Sequence, residues 1–409
     1  MLDPTAIATV VGCLVAIIAA WYAYAPYRNQ RILHERELFV ETRRTIARDR
    51  HRLAADALAL YGSIYKDARL PGMVTSQNLI PDAPISLHDV RVQLAPAPHW
   101  DHSLQAASRR LLPRRTGGRR MESYSEAISD LAVPSLWFDA PCYSLSEVEI
   151  SGKEILLTVS LSSYFEGIDI AESLAHELAE HPKAGGLGDL RLRSRIESPV
   201  AFGTWPSVCA VSALVLRQDV EEVTFFLQER DPSKVAQAGG QIHLVPSGVY
   251  QPTASDPGTV QRDIKPLLTL CREFAEEYLG VEEARGDDGA SLSYDQDEPY
   301  ASLLRVMAGP DSSSHVLGIG MDPLTLCPEI LVVSIFTAKA FDALFKDLKF
   351  SDAEGRLMGA SRAGGRLIGF SFSRQTLDHL TSSPRLSPAA RGTLECAWNH
   401  RRFLLGGKE

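Results

Sequence analysis

Residues 272–280 read Arg-Glu-Phe-Ala-Glu-Glu-Tyr-Leu-Gly, and this stretch decides how the rest of the chain is interpreted. On a helix, Glu273 and Glu277 lie one turn apart on the same face, and Glu276 lies on the flank of that face. Three like charges repel one another, but a set of carboxylate oxygens suits a hard divalent cation such as Mg²⁺. We therefore predict a metal-binding helix that Gly280 ends at positive φ.

The stretch resembles the C-terminal half of the Nudix box, whose pattern is Gly-x5-Glu-x7-Arg-Glu-U-x-Glu-Glu-x-Gly-U, with U an apolar residue. The residues that match in register are Arg272, Glu273, Phe274, Glu276 and Glu277. The tail departs by one residue, because Leu279 stands at the glycine position and Gly280 follows it. The alternative is a solvated acidic helix capped by glycine, with no metal.

The first glycine of the box has two candidates. Gly248 follows the apolar run at 242–245, as a box glycine follows a strand, and 23 residues separate it from Arg272, ten more than in the pattern. We interpret the excess as an insertion around 253–258. Gly258 has the right spacing but no strand before it. Gly248 is preferred for this reason.

Both alignments lack the first glutamate of the box. With Gly258 as the first glycine, that position holds Ile264, and Asp263 is the nearest carboxylate. The missing glutamate would affect catalysis more than it would affect metal binding by the helix.

The resemblance implies the fold and the site. The expected fold class is α/β: a Nudix-like α/β/α sandwich with a mixed sheet over residues 140–405, with the box region at 242–281. The implied ligands of Mg²⁺ or Mn²⁺ are Glu273, Glu276 and Glu277. Arg272 would orient a glutamate through a charge-assisted hydrogen bond, and Gly248 would let the backbone approach the phosphates. The candidates for a general base stay open: Glu277, Asp295, Asp297 and Glu298.

Two hypotheses of function follow from the resemblance. The first is a membrane-anchored, metal-dependent Nudix-type hydrolase that cleaves the diphosphate linkage of a nucleoside diphosphate derivative. The second is a catalytically weak Nudix-like module that senses a nucleotide at the membrane. The three glutamates favour the first hypothesis, and the stretched loop with its missing glutamate favours the second.

Residues 1–27 predict a transmembrane anchor. No charge occurs from Thr5 to Tyr27, and residues 6–25 have about the length that a helix needs to span the lipid bilayer. Aromatic residues cluster at the end of this segment, and arginines follow directly. The positive-inside rule then predicts a single-pass plasma-membrane protein with its N-terminus outside and its body in the cytoplasm. A cleaved signal peptide and a buried helix are the alternatives.

Residues 28–66 predict a juxtamembrane amphipathic helix. Its apolar seam repeats every seven residues and consists of Ile32, Phe39, Ile46, Leu53 and Leu60. The seam predicts either a homodimer through a coiled coil or docking on the body of the same chain. Residues 67–139 predict a linker with a basic cluster at Arg109–Arg120, which would either contact anionic lipid or be a solvated loop.

Charge is unevenly distributed along the 409 residues. The first 120 residues contain 17 Lys and Arg against 10 Asp and Glu, whereas the whole chain has a net charge of −9. The remaining body is therefore acidic, which argues against nucleic acid as a partner. The six cysteines form no CxxC pair, which favours reduced, buried thiols over a zinc or disulfide framework.

Overall fold

The computed structural model describes residues 4–100, 102–231, 240–282, 292–349, 355–359, 361–363 and 366–407. Its helices are α1 Pro4–Leu60, α2 His102–Ser108, α3 Tyr124–Leu131, α4 Tyr164–Glu180, α5 Pro257–Asp263, α6 Pro266–Glu273, α7 Tyr300–Met307, α8 Ala338–Leu344, α9 Arg374–Thr381, α10 Pro388–Asn399 and α11 Arg401–Leu404. Its strands are β1 Ile85–Ser86, β2 Val90–Leu94, β3 Pro141–Ser151, β4 Glu154–Ser163, β5 Ala210–Gln218, β6 Val223–Phe225, β7 Leu227–Arg230, β8 Ile242–His243, β9 Ser247–Val249, β10 Ser312–Met321, β11 Pro328–Thr337, β12 Gly355–Met358, β13 Ser361–Ala363, β14 Arg366–Ile368 and β15 Phe370–Ser371.

A mixed seven-stranded sheet forms the centre of the body. The strand order of this sheet is β1-β10-β11-β5-β6-β15. Strand β9 pairs with the first residues of β5, whereas β6 pairs with its last residues. Strands β5 and β11 run parallel, and the other neighbours in this sheet are antiparallel. Both central strands are almost continuously buried and apolar, as expected for strands with both faces covered. The predicted mixed α/β fold with a mixed sheet is confirmed.

Helices cover both faces of the seven-stranded sheet. Because side chains alternate along a strand, Val332 faces one layer, which includes Phe274, directly after α6, and Phe341 of α8. Leu331 faces the opposite layer, which includes Leu394 of α10. The helix of the box region therefore packs on the face of the sheet to which Val332 belongs.

The uncharged N-terminal segment is the beginning of one 57-residue helix, α1. In the structure residues 5–27 continue into the charge-rich residues of α1, which has a kink at Asp49 and ends at Leu60. In the part of the chain that the structure describes, no helix is both long and apolar enough to cross a membrane. The prediction of a transmembrane anchor at 1–27, with residues 6–25 in the bilayer, is therefore wrong. The single-pass location with an outside N-terminus is wrong for the same reason.

The apolar seam of α1 packs on the body of the same chain. Phe39 lies in a cluster with Tyr124 of α3, and Leu53 lies in another with Leu178 of α4. Ile32, Phe39, Ile46 and Leu53 are each at most 3% exposed. Docking on the body is the alternative that the structure favours. The homodimer through residues 28–66 stays a prediction, and a second copy would have to use another face of the helix.

The basic cluster at Arg109–Arg120 makes several contacts within the protein. Arg114 binds Glu35 of α1, and Arg115 binds Glu126 of α3. Arg120 donates to the carbonyls of Arg110 and Leu112. These contacts tie part of the predicted linker to the helical layer, and strand β2 within 67–139 pairs with β4.

Candidate functional site

The carboxylate helix forms where the sequence predicts it, from Pro266 to Tyr278. Pro266 occupies the first turn, where its missing N–H costs no hydrogen bond. The apolar side chains of Leu270, Phe274 and Tyr278 are fully buried in the layer beside the sheet. Burial of this stripe fixes the orientation of the helix, and Gly280 adopts a φ of +70° after its end, as predicted.

The last turn of this helix, Phe274–Tyr278, is a π-helical turn. A π-turn accommodates one residue more than an α-turn, and such turns occur frequently at functional sites. The extra residue in the tail of the box, Leu279, is therefore absorbed by the widened turn. The N–H groups of Gly280 and Val281 then donate to the carbonyls of Glu276 and Ala275 and close the helix end.

Strand β9 and the carboxylate helix bring Gly248, Glu273 and Glu277 together. A Cβ atom at Gly248 would collide with the carboxylate of Glu273. The neighbouring Ser247 N–H donates to Glu277 Oε2 at 2.8 Å. Glu277 is buried, whereas Glu273 and Glu276 are half-buried. The contact with Glu273 supports Gly248, rather than Gly258 in α5, as the glycine of the box.

The described hydrogen bonds of Arg272 are made with groups other than the box glutamates, and its predicted role in orienting a glutamate stays a prediction. Its guanidinium donates to Tyr294 Oη, the Gln251 carbonyl and Thr269, and it lies 3.8 Å from Asp263 Oδ2. Through Gln251 these contacts connect the carboxylate helix to the segment before α5, and through Tyr294 they connect it to the segment before α7. In these described contacts Arg272 acts as a clamp on both segments, and none of them is to a box glutamate.

Asp263, the nearest carboxylate to the missing first glutamate, is fully buried at the end of α5. Its Oδ2 accepts from the Thr253 N–H at 2.8 Å and from the Thr253 hydroxyl at 2.7 Å, and its Oδ1 accepts from Arg262. Part of the expected insertion loop is therefore α5 itself. Asp263 holds that insertion in place and accepts bonds from protein donors.

The other candidates for the general base precede α7 on the surface. Asp297 accepts from the Ser293 N–H, and Asp295 accepts from the Ser293 hydroxyl. Glu298 accepts from Ser302 in the first turn of α7. Of these three carboxylates, Asp297 shares a neighbour with the box.

That neighbour is Tyr300, which is close enough to both carboxylates to sense their charges. Burial, and after it the charge of Glu276, raises the pKa of Tyr300 to about 12, with Asp297 contributing less. Of these three carboxylates, Asp297 is the one whose charge acts on the same tyrosine as that of Glu276.

A polar chain of groups on the other face of the sheet was not predicted. Ser212 of β5 donates to Glu329 Oε2 of β11 at 2.9 Å, and the hydroxyls of Ser212 and Ser247 are 2.7 Å apart. Because the Ser247 N–H binds Glu277, the chain connects Glu329 to the box through the sheet. Its signal in the sequence was an acidic residue, Glu329, at the start of an apolar strand.

Burial governs the ionisation of this chain. It raises the pKa of Glu329 to about 7, with a smaller contribution from Asp322. The neighbouring imidazole of His243 lies 3.7 Å from Glu329 Oε2. Burial lowers the pKa of His243 to about 3, so this imidazole is neutral near pH 7. A carboxyl that titrates near neutral pH is a feature of functional sites.

The carboxylates fit a metal ion that is completed by substrate. In the described ranges no group of three or more His, Cys, Asp or Glu side chains is placed to hold a metal ion by itself. Mg²⁺, however, usually takes one or two carboxylates and completes its shell with water and phosphate oxygens. The half-buried Glu273 supplies one such carboxylate beside the backbone of Gly248, where a larger residue would occupy the space, and the half-buried Glu276 follows it one turn along the helix.

Comparison with known proteins returns no relative: no protein-family model matches the chain, and no curated protein matches it. The resemblance to the Nudix box therefore rests on the motif and its geometry.

Proposed function

We propose that the chain is a metal-dependent Nudix-type hydrolase that cleaves the diphosphate linkage of a nucleoside diphosphate derivative. The observation that supports it best is the contact between Gly248 and the carboxylate of Glu273, beside the bond from Ser247 N–H to Glu277. A solvated acidic helix would need no glycine under one of its carboxylates. Glu273 and Glu277 lie at strand β9, where the Nudix pattern would put the phosphates, and this supports the proposal.

Glu273, Glu276 and Glu277 would hold Mg²⁺ or Mn²⁺. The ion, when bound, neutralises diphosphate charge and lowers the pKa of an attacking water. The contribution of the chain is positional: the Ser247 N–H fixes one carboxylate oxygen of Glu277, and Gly248 leaves space for Glu273 and for phosphate oxygens. The group that would accept the proton of the water stays open among Glu277, Asp295, Asp297 and Glu298.

The test uses the full chain with Mg²⁺ or Mn²⁺ and a panel of nucleoside diphosphate derivatives, with products separated by chromatography. We expect turnover that is lost in chelator and falls by about a hundredfold or more in Glu276→Gln, since a metal ligand is removed. The matched control is Glu149→Gln, which changes an exposed glutamate on β3. Mn²⁺ binding, measured by titration calorimetry, should weaken in Glu276→Gln and stay unchanged in Glu149→Gln.

Two results would count against the hydrolase. Turnover that persists in Glu276→Gln would show that the carboxylate helix takes no part in the reaction. No turnover on any compound, together with tight and metal-independent binding of one of them, would favour the nucleotide-sensing module.

A further inference from the structure

Strand β9 begins beside a residue that cannot complete the main-chain ladder to β5. Ser212 of β5 lies opposite Ser247, the first residue of β9. Before Ser247, the Pro246 carbonyl accepts a hydrogen bond from the Ala213 N–H at 2.9 Å. Pro246 has no N–H, so it cannot return the second bond that a hydrogen-bonded pair of an antiparallel ladder exchanges. Side-chain contacts therefore matter for the position of Ser247 at this end of β9.

The hydroxyl groups of Ser212 and Ser247 provide such a contact. They are 2.7 Å apart, and Ser212 also donates to Glu329 Oε2 at 2.9 Å. A hydroxyl that donates one bond can still accept others, so Ser212 joins Ser247 of β9 to Glu329 of β11. Both serines are buried, so water does not readily replace a bond that is lost between them. The chain of hydroxyls therefore holds β9 to the two central strands of the sheet.

Ser247 also holds the carboxylate of Glu277 through its main chain. Its N–H donates to Glu277 Oε2 at 2.8 Å, and Glu277 is buried. The same residue thus binds Ser212 with its side chain and Glu277 with its N–H. Because a hydrogen bond weakens steeply when it is misaligned, a shift of Ser247 away from Ser212 would also weaken its bond to Glu277.

We propose that Ser212 is a positioning residue for the box: by holding the Ser247 hydroxyl, it keeps the Ser247 N–H on Glu277 and that carboxylate in place to bind the metal ion. Ser212 shares its face of the sheet with Leu214, opposite the face of Ala213 on which the carboxylate helix packs. It therefore acts through Ser247 and not by contact with substrate. The metal role of Glu277 rests on the proposed function, whereas the hold on Ser247 does not.

The experiment compares hydrogen exchange and Mn²⁺ binding of the full chain with those of single serine variants. Ser247→Ala removes the hydroxyl of β9 and leaves the bond from Ser212 to Glu329 intact, whereas Ser212→Ala removes both bonds. The matched control is Ser314→Ala. The hydroxyls of Ser314 and Ser334 form another buried pair, 2.8 Å apart, between β10 and β11 of the same sheet.

The expected results separate a positioning role from a merely structural one. In Ser247→Ala and Ser212→Ala, the protection factor of the amide at position 247 should fall about tenfold relative to that of Val215 in β5, because the bond to Glu277 opens locally. The Kd for Mn²⁺, measured by titration calorimetry, should rise about fivefold, the effect of one lost hydrogen bond. Both values should stay unchanged in Ser314→Ala, although its Tm should fall by as much as that of Ser247→Ala.

Three results would overturn the proposal. The first is unchanged protection at position 247 in Ser247→Ala. The second is an equal loss of protection in Ser314→Ala, which would indicate a general loosening of the sheet. The third is faster exchange with unchanged Mn²⁺ affinity, because Glu277 would then bind the metal without the hold. Should Ser212→Ala fail to fold, Ser247→Ala decides, since it leaves the bond between Ser212 and Glu329 in place.

The two proposals fail in different ways. If turnover is lost in Glu276→Gln while Ser247→Ala keeps wild-type exchange and Mn²⁺ affinity, the hydrolase stands and the positioning role of Ser212 is refuted. If no compound is hydrolysed while Ser247→Ala exchanges faster and binds Mn²⁺ more weakly, the positioning role stands and the hydrolase is refuted. If both stand, saturating Mn²⁺ should restore turnover in Ser247→Ala, because the metal ligands themselves are intact. No Mn²⁺ binding by the wild type would refute the metal site and both proposals with it.

Discussion

Glu329 shows how burial of a single carboxyl group changes the pH dependence of the molecule. It stands at the start of β11, is 8% exposed, and faces Ser212 and His243. The charged groups that act on it are Asp322, Arg230 and Arg50. Its pKa is about 7 in the folded chain against an ordinary value of 4.5. The folded state therefore binds a proton at this site more tightly than the unfolded state does.

The sign of the effect on stability follows from that difference. The contribution of Glu329 is most favourable below pH 4.5 and is lost as pH rises towards 7, because the unfolded state ionises first. At pH 8 the loss amounts to about 3 kcal/mol. Glu329→Gln should therefore raise the free energy of unfolding at pH 8 by up to about that amount and change it little at pH 4.5, as measured by urea unfolding. A variant less stable than the wild type at pH 8 would contradict this account.

A substitution at Gly248 tests how closely strand β9 approaches the carboxylate of Glu273. Gly248→Ala places a methyl group where the carboxylate of Glu273 lies. That carboxylate is the end of a flexible side chain and can move, so the free energy of unfolding should fall by about 1 kcal/mol or less. Turnover should fall about tenfold or more, because Glu273 no longer reaches its position. Gly258→Ala, at the alternative box glycine in α5, should retain activity. Loss of activity in Gly258→Ala but not in Gly248→Ala would instead identify Gly258 as the glycine of the box.

At the scale of elements, the π-turn Phe274–Tyr278 sets the direction of Glu276 and Glu277. Deletion of Leu279 would give Arg-Glu-Phe-Ala-Glu-Glu-Tyr-Gly-Val, the regular tail of the box. The turn should then relax to an α-turn and rotate Glu277 away from the Ser247 N–H. We expect faster hydrogen exchange at the Ser247 amide and lower turnover. Deletion of Val220, which is 85% exposed in a surface turn, is the control. Unchanged exchange at Ser247 would show that the wide turn does not position Glu277.

The sequence predicts those elements whose pattern is local. Helix Pro266–Tyr278 is recognisable in the sequence by its apolar stripe, and strands β5 and β11 lie in continuous apolar runs. Helix α5 was missed, because its Asp256 cap and Pro257 start lie in a polar segment that resembles a loop. The π-turn was visible only as a one-residue departure from the motif, and its geometry depends on the packing of Phe274 and Tyr278.

The partners of buried polar groups could not be predicted from local patterns. Arg272 was expected to bind a glutamate of its own helix, yet its described contacts include Tyr294 and Gln251, each about twenty residues away. Glu329 and Ser212 meet because β5 and β11 are adjacent in the sheet. Pairing of this kind depends on topology, which a single sequence does not reveal.

At the scale of the whole molecule, the same heptad pattern permits two arrangements. A coiled-coil dimer and docking on the body bury the same face of α1, so Ile46 and Leu53 would be apolar in both cases. The structure shows docking: Leu53 is fully buried in a cluster with Leu178, Leu190 and Leu324. The seam therefore belongs to the hydrophobic core of the chain. Helix α1 also contributes the buried side chain of Arg50 to the interior.

Leu53→Ala tests the burial of the seam, and the dependence of unfolding on protein concentration distinguishes the two arrangements. Truncation of a fully buried leucine leaves a cavity, so the free energy of unfolding should fall by about 3 kcal/mol. Leu33→Ala, at a position of the same helix that is 56% exposed, should change it by about 0.5 kcal/mol or less. Docking is intramolecular, so the midpoints of both variants and of the wild type should not depend on protein concentration. A coiled-coil dimer would instead make the wild-type midpoint rise with protein concentration, because association stabilises the folded state by mass action.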